Sequence, residues 1–504
     1  MLKQIGELGK HTVIYGLGDA LRRLIGFMLL PLYTTRLSPA DYGELDLSLV
    51  VLALSGTFAV QGLKNAFFRH YTVSDDPEER TALLSSTFIY MLATSLLIYS
   101  LIYFLADELA GLLFTDGAGG QAVYVRLVAL VGFFETISII PLDSFRANMQ
   151  PVPYVVILVV GFLLQTAANI YLVAGLGLGV RGVLIGYLIG AAVIAAAAIV
   201  MARHRMRPIV VIARLRELLA FGLPLIPVGL AWWLLGVSNR VLLERFASSQ
   251  ELGLYSLGYK MANILAFAVI TPFTTAWGPY VYRTWRGPRA KETYAWVATH
   301  YLLVLSIVGM GLVAFTRPVL RVISAPAFWD AHRVVLPLVG ASMAYGMMSI
   351  FDLGINITKR TKHFSYIIGS GGLLNVALNV VLIPRYGMMG AGASLLLAYV
   401  GTMVLSAYVA QRFYPVPYEF GRMGRIAGVF VAAGVLTTLV QFEQPLADLA
   451  FRLFALVAFG GGLVAAGVFS QTDVTALRRL YAGMRRERGL RAKVRFGVEQ
   501  FRPD

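Results

Sequence analysis

Fourteen stretches of this chain are apolar over the length a helix needs to cross a bilayer, about 20 residues. They fall near 12–35, 45–68, 81–106, 121–144, 152–175, 180–202, 217–243, 252–282, 292–316, 334–358, 364–384, 387–411, 425–442 and 447–470. Hydrocarbon offers the backbone no water, so such a stretch must satisfy its own N–H and C=O groups, which a helix does within one segment. Of the 504 residues, 58% are apolar and only 14% charged, against about 25% charged in a soluble domain. The 50 glycines suit helices whose backbones approach closely. The expected fold is an all-α integral membrane protein with 14 transmembrane helices.

Six basic residues are read as lying within these stretches, Arg22, Arg23, Lys64, Arg126, Arg240 and Lys260, while Arg181, Arg425 and Arg452, close to the ends of theirs, are assigned with Arg317 to the flanking loops. Each of the six would cost roughly 2.5–3.5 kcal/mol at a bilayer centre facing lipid. A group of them predicts a water-lined or anion-lined cationic cavity. Arg22 and Arg23 stand three and four residues beyond Asp19, so one of them can pair with it and leave the other for the cavity. Lys64 and Asn65 lie toward one end of the second stretch, and Arg240 follows Asn239 near an end of the seventh. Snorkelling to the interface is the alternative for Lys64 and Arg240. Lys260 sits about half-way along the eighth stretch, where snorkelling is hardest. Arg126 begins the fourth stretch and reads as interfacial.

Acidic residues at membrane depth are candidates to load and release an ion, and Asp19, Glu135 and Asp352 qualify by position. The alternative for each is a static partner of a nearby base, and Asp143 in particular can pair with Arg146 at i+3. Asp352 with Asn356 one turn on is a second way to build a polar cation site. Tyr255, Tyr259, Trp232 and Trp233 either stack on sugars or belong to an interfacial aromatic belt.

Of the 43 Lys and Arg residues, 29 fall before the first stretch, after the last and in the segments on that same side, while 8 fall on the opposite side. Basic residues favour the cytoplasmic side, so both termini are expected in the cytoplasm. The same bias accounts for the net charge of +16, and no nucleic-acid partner is expected. In the tail, Leu477, Leu480, Tyr481 and Met484 share a helical face; this segment either lies on the anionic leaflet or is solvated.

The chain has no cysteine, which excludes disulfides, thiolate catalysis and thiolate-bound metals. Its six histidines form no ligand-spaced pair, and no phosphate-binding Gly-x-x-x-x-Gly-Lys-Ser/Thr segment occurs. Asp19, Arg22 and Arg23 interrupt what would be the apolar part of a cleavable signal peptide. No metal, no cofactor and no enzymatic chemistry are expected.

The chain repeats itself. Leu163-Leu-Gln-Thr-Ala-Ala-Asn169-Ile matches Leu373-Leu-Asn-Val-Ala-Leu-Asn379-Val at an offset of 210. Gly179-Val-Arg-Gly182 matches Gly387-Met-Met-Gly390 at 208, and Arg36-Leu-Ser-Pro-Ala-Asp-Tyr-Gly43 resembles Arg245-Phe-Ala-Ser-Ser-Gln-Glu-Leu-Gly253 at 210. The expected domains are an N-terminal six-helix bundle over 1–205, a C-terminal six-helix bundle over 206–415, two additional helices over 416–470 and a basic tail over 471–504. An offset of six spans gives both copies one orientation, with a substrate cavity expected between them.

The segment Leu29-Leu-Pro-Leu-Tyr-Thr-Thr-Arg-Leu-Ser-Pro-Ala-Asp-Tyr-Gly43 resembles the first-span signature of polysaccharide-type flippases. Gly62-Leu-Lys-Asn-Ala-Phe-Phe-Arg69, Thr275-Ala-Trp277-Gly-Pro279 and Lys359-Arg-Thr-Lys362 resemble the ends of their second, eighth and tenth spans. These flippases belong to the multidrug/oligosaccharidyl-lipid/polysaccharide exporter superfamily. The resemblance runs over nearly the whole chain and implies a flippase of the bacterial cytoplasmic (inner) membrane. Such a protein moves an undecaprenyl-pyrophosphate-linked oligosaccharide from the inner to the outer leaflet by alternating access. A proton or sodium ion would be the coupling ion, and glycan polymerase machinery a partner. The basic candidates Arg22, Arg23, Lys64, Arg240 and Lys260, with Asn65, fit an anionic pyrophosphate, since Arg presents a donor fork to phosphate oxygens and Lys a point charge. The rivals are a lipid II flippase of the same superfamily and, from a different class, a membrane glycan polymerase or ligase. The latter should carry a long outer loop with catalytic basic residues; the largest outward loops here, near 107–120 and 317–333, are short.

Overall fold

The computed structural model describes residues 26–115, 120–358 and 360–469. Among these residues the regular structure is helical throughout, with no strand. Twelve helices are long and apolar enough to cross a membrane, among them Pro39–Val60, Pro77–Phe104, Ala122–Ala147, Gly179–Arg205, Ser249–Thr284 and Ala290–Ile323. One of the twelve, Lys362–Gln411, turns at Gly387 (φ 54°, ψ −131°), so the expected spans 364–384 and 387–411 are two arms about one residue. The expected first span enters the described residues only at 26, and Leu30–Arg36 is its last helical turn pair. The fold is that of an all-α integral membrane protein.

Local chemistry sets where spans start. Ser38 accepts from the Asp41 N–H while the Asp41 carboxylate accepts from the Ser38 N–H, and Pro39 opens the helix with its fixed φ. Asp76 caps Pro77–Phe104 in the same way, accepting from the Glu78 N–H ahead of a first-turn proline.

Several spans are broken where the sequence reading drew them whole. The stretch 45–68 is two helices, Pro39–Val60 and Leu63–Val73, because Gln61 and Gly62 both turn left-handed (φ 49° and 67°). The seventh stretch passes through a 3₁₀ turn at Leu223–Leu225, where Pro224 removes a backbone donor, and resumes as Ile226–Gly236 and Ser238–Phe246. The tenth breaks at Asp352, between Val335–Phe351 and Leu353–Ile357. Hydropathy averages over a window and is blind to such breaks.

The sequence repeat is present in three dimensions. Gly179 and Gly387, which begin the matched Gly-x-x-Gly segments, share a left-handed φ of 56° and 54°. Their partner glycines face the same neighbour in each copy: a Cβ at Gly182 would lie 3.2 Å from the Leu172 carbonyl, and one at Gly390 would strike that of Leu382, 210 residues on. The copies also touch each other at equivalent positions. A Cβ at Gly43 would collide with the Ser249 carbonyl, and one at Gly253 with the Pro39 carbonyl, where 249 is 39 displaced by 210. Three residues further along, Ser256 Oγ donates to Asp46 Oδ2 at 2.7 Å, again a pair separated by 210. Such reciprocity places a local two-fold axis between the Pro39–Val60 and Ser249–Ala262 helices.

The chain divides into two compact units. The first comprises the described parts of Met1–Tyr259, Leu320–Val334 and Ser365–Ala398. One of its cores gathers Leu63, Phe67, Tyr71, Leu83, Leu84, Met91, Ile140 and Leu218. The second comprises Lys260–Val319, Val335–Phe364 and the described part of Tyr399–Asp504. Here the sequence reading of loops needs correcting. Arg317 and Arg452, assigned to loops, are 9% and 1% exposed within the helices Ala290–Ile323 and Pro445–Ala465. Asp448 holds both: Arg317 Nη1 lies 2.8 Å from its Oδ1 and Arg452 Nε 2.8 Å from its Oδ2. Arg452 Nη1 also donates to the Ala314 carbonyl at 2.7 Å, so this side chain ties the last described span to the Ala290–Ile323 helix. The segment 317–333, expected as a loop, is helical to Ile323 and then a 3₁₀ run over Pro326–Val334.

Candidate functional site

Arg240 is the candidate cation whose surroundings are most fully defined. It stands in Ser238–Phe246, one turn after the break at Val237. Its Nε donates to Asp46 Oδ2 at 2.5 Å, and its Nη1 to the Gly236 carbonyl at 3.2 Å. The guanidinium carbon lies 4.7 Å from the centre of the Tyr259 ring, which stacks on Tyr255 at 6.3 Å. Arg and Asp side chains are 11% and 15% exposed. The cation is thus neutralised by an acid 194 residues away, and Ser256 donates to that same acid oxygen. Asp46 was not singled out in the sequence, because a carboxylate at the start of an apolar stretch looks interfacial until its partner is seen. Tyr255, one of the aromatic candidates for sugar stacking, is fully buried beneath this cluster.

Lys64 and Asn65 are exposed in the first turn of Leu63–Val73. The break at Gln61–Gly62 therefore starts a new helix just where a cation and an amide are presented. Asp143, 3% exposed, pairs with Arg146 at 3.0 Å and lies within electrostatic reach of Lys64. The guanidinium of Arg146 also lies over Phe68 and Tyr154, at 5.4 and 5.8 Å. Arg126 pairs with Asp107 at 2.5 Å, with both side chains partly in the open.

Lys260 is exposed near the middle of Ser249–Thr284, just ahead of the π-helical turn Ala266–Ile270. Glu135 is exposed on Ala122–Ala147, close to the buried pair Tyr99–Thr136. Asp352 sits half-buried at the helix break, its carboxylate bonded to the Asn356 side chain and close to Tyr418. Asp19, Arg22 and Arg23 lie outside the described residues. The structure thus brings together Arg240 with Asp46, and sets Asp143 within electrostatic reach of Lys64.

Two further polar groupings escaped the sequence. One is the Asp448 pair of guanidiniums described above. The other is a set of buried amides: Asn375 Nδ2 donates to Asn239 Oδ1 at 2.6 Å, and Asn239 Nδ2 to the Ala391 carbonyl at 3.0 Å. Asn379 nearby in sequence is fully buried with neither amide atom bonded. The only sequence signal was that Asn379 and Asn169 recur at the repeat offset. Among the described residues, no group of three or more His, Asp or Glu stands where it could hold a metal ion.

This fold recurs among transporters. A structure titled a lipid II flippase MurJ in an inward closed conformation superposes with a TM-score of 0.67 at 13% identity, over 89% of this chain and 98% of that one. An inward-facing multidrug resistance MATE family transporter of the MOP superfamily gives 0.57 at 14%, over 79% and 93%. A Vibrio cholerae MATE transporter gives 0.55 at 15%, over 81% and 96%. At these identities the similarity establishes a shared fold, that of the MurJ and MATE transporters. No curated protein matches the sequence significantly. The family model described as polysaccharide biosynthesis protein matches residues 35–365, and the chain belongs to that family.

Proposed function

We propose that this protein is a flippase that carries an undecaprenyl-pyrophosphate-linked oligosaccharide from the cytoplasmic to the outer leaflet by alternating access. Membership of a polysaccharide biosynthesis family and a fold shared with a lipid II flippase support a lipid-linked glycan as cargo. The observation in the molecule that carries the reading is Arg240, a largely buried guanidinium just beyond the apolar span Ile212–Gly236, held by a carboxylate of the other repeat copy. A buried charge is costly unless something pairs with it, and a pyrophosphate crossing hydrocarbon requires compensating cations. Arg22, Arg23, Lys64 with Asn65, Arg240 and Lys260 are the groups we assign to that compensation. Asp46 would balance the charge of Arg240 until the headgroup arrives to compete for it.

Coupling to H⁺ or Na⁺ is assigned to Asp19, Glu135 or Asp352, with glycan polymerase machinery as the downstream partner. The site of action is the bacterial cytoplasmic membrane with both termini inside, as the bias of basic residues indicates. The bodies that alternate are proposed to follow the repeats, 1–205 and 206–415, with 416–470 alongside. Lipid II transport is the second reading, favoured by the 98% coverage of that flippase's chain; both cargoes present the same pyrophosphate.

The test is leaflet accessibility of a lipid-linked oligosaccharide in proteoliposomes, for wild type and Lys260→Ala. Equal rates would remove Lys260 from the site. Folded protein that moves neither the oligosaccharide lipid nor lipid II would refute the flippase reading, and lengthening of the glycan would identify a polymerase instead.

A further inference from the structure

The exposed faces of the spans are of two chemical kinds. On Pro77–Phe104 and Pro151–Gly175 the exposed side chains include Leu96, Leu97, Leu101, Val152, Val156 and Val160, between 45% and 71% exposed. That is a surface suited to lipid tails. The second half of Ser249–Thr284 differs. Between Lys260 and Thr284 the exposed residues are Lys260, Ala268, Thr271, Pro272, Thr275, Ala276, Pro279, Tyr280, Tyr282 and Arg283, without a single Leu, Ile, Val or Met. From Ala268 onward, steps of three and four residues connect them, so they form one stripe along the helix, with Lys260 eight residues before it.

The backbone of this stripe is also polar. Pro272, just after the π-helical turn Ala266–Ile270, offers no N–H to the turn before it, and Pro279 offers none to the carbonyl of Thr275. Lipid cannot satisfy such carbonyls, whereas water or a hydroxylated ligand can. Thr275 Oγ1 donates to the Thr271 carbonyl at 2.8 Å and Thr271 Oγ1 to that of Ala266 at 2.9 Å, leaving both hydroxyl oxygens as acceptors. Behind the stripe runs an aromatic ladder: Phe273 stacks on Tyr301 at 3.8 Å, and Trp277 on Phe273 and Tyr280 at 5.4 and 5.9 Å. Within it, Trp277 Nε1 and Tyr301 OH have no hydrogen-bond partner although the residues are 6% and 5% exposed. Unmet donors of this kind are rare in packing that serves only to fill space.

Hydroxyls, freed carbonyls and ring faces are the groups that hold a pyranose, and cations before the stripe and at its end suit a cargo whose lipid end is anionic. From Lys260 to Arg283 the rise is about 35 Å, close to the roughly 30 Å of hydrocarbon. We propose that the face formed by Thr271, Thr275, Pro279 and Tyr280 is the track along which the sugar units of the lipid-linked glycan pass. Thr271 and Thr275 are its specificity-determining hydrogen-bonding positions. This rests on the flippase reading and deepens it.

The natural absence of cysteine makes the track directly testable. Single variants Thr271→Cys, Thr275→Cys, Leu97→Cys and Val156→Cys are treated in proteoliposomes with a charged, water-soluble thiosulfonate. Thr271→Cys and Thr275→Cys should react at least tenfold faster than the other two. Reaction no faster than at Leu97→Cys overturns the proposal. In the second arm, flipping of a fluorescent undecaprenyl-pyrophosphate tetrasaccharide is compared with that of its single-sugar counterpart. The double variant Thr271→Val with Thr275→Val should slow the tetrasaccharide about tenfold, as expected for two lost hydrogen bonds, and the single sugar less than twofold. Thr271→Ser with Thr275→Ser should restore the tetrasaccharide rate. Equal slowing of both probes, or none, overturns the track and leaves the flippase reading standing. If the wild type flips neither probe, the flippase reading falls and the track with it.

Discussion

Replacing Asp46 by Asn removes one charge and almost no volume, and leaves Arg240 in its place with the Gly236 carbonyl and the Tyr259 ring as remaining partners. Breaking a buried pair from one side costs about 3–5 kcal/mol, because the surviving charge keeps its desolvation penalty. Here the side chains are 11% and 15% exposed, so some water reaches the guanidinium and the lower figure, about 3 kcal/mol, applies. That is roughly a hundredfold in the folded-to-unfolded ratio. Adding Arg240→Gln removes the orphaned charge, and most of the loss should return. Arg240→Gln alone leaves Asp46 with the Ser256 hydroxyl, so it should cost less than Asp46→Asn. The measurement is a double-mutant cycle in mixed micelles, unfolding with SDS and following the fluorescence of the six tryptophans. A coupling energy of about 2 kcal/mol is expected, since the two residues share one network. If the cycle closes within about 0.5 kcal/mol, Asp46 does not neutralise Arg240, and the account of how this buried cation is held is wrong.

Three other outcomes follow from the geometry. Gly253→Ala forces a methyl into the Pro39 carbonyl and should destabilise the protein by about 1–3 kcal/mol, with Gly278→Ala, where nothing lies within 4 Å, nearly neutral by the same unfolding assay. Asp448→Asn leaves Arg317 and Arg452 buried beside a neutral amide and should cost about 3–5 kcal/mol, whereas the triple change Asp448→Leu, Arg317→Met, Arg452→Met should cost far less; thermal unfolding of both variants decides it. Gly387→Ala adds a methyl against the Glu251 carboxylate at a φ of 54° and should lower the yield of folded protein on size-exclusion chromatography, while Ala at Gly369, which meets nothing within 4 Å, should not.

What the sequence exposed and what it hid have a common cause. Spans were legible because the bilayer acts on every residue of a segment alike, so about 20 apolar residues in a row carry the message. The repeat was legible because turns need specific residues: Gly179 and Gly387 sit where a left-handed φ excludes other side chains. Pairings were not legible. Arg317 and Arg452 looked like loop residues because hydropathy scores a guanidinium against lipid, while in the fold both face Asp448. Arg240 looked like a lone cation because its acid lies 194 residues away. The exposed stripe from Thr271 to Arg283 looked like ordinary span sequence, since a threonine or proline lowers hydropathy little, and only the contrast with Leu97 or Val156 shows that its face is of another kind.

The reciprocal contact at Gly43 and Gly253 bears on how such a chain arose. Two identical half-length proteins meeting across that axis would set position 46 opposite itself, carboxylate facing carboxylate, and the pair would repel. A single chain is free of that restriction, because its two copies need not carry the same residue. Here one copy presents the acid Asp46 while the other presents the Ser256 hydroxyl and Arg240, an arrangement closed to a homodimer and open to two unlike copies in one chain.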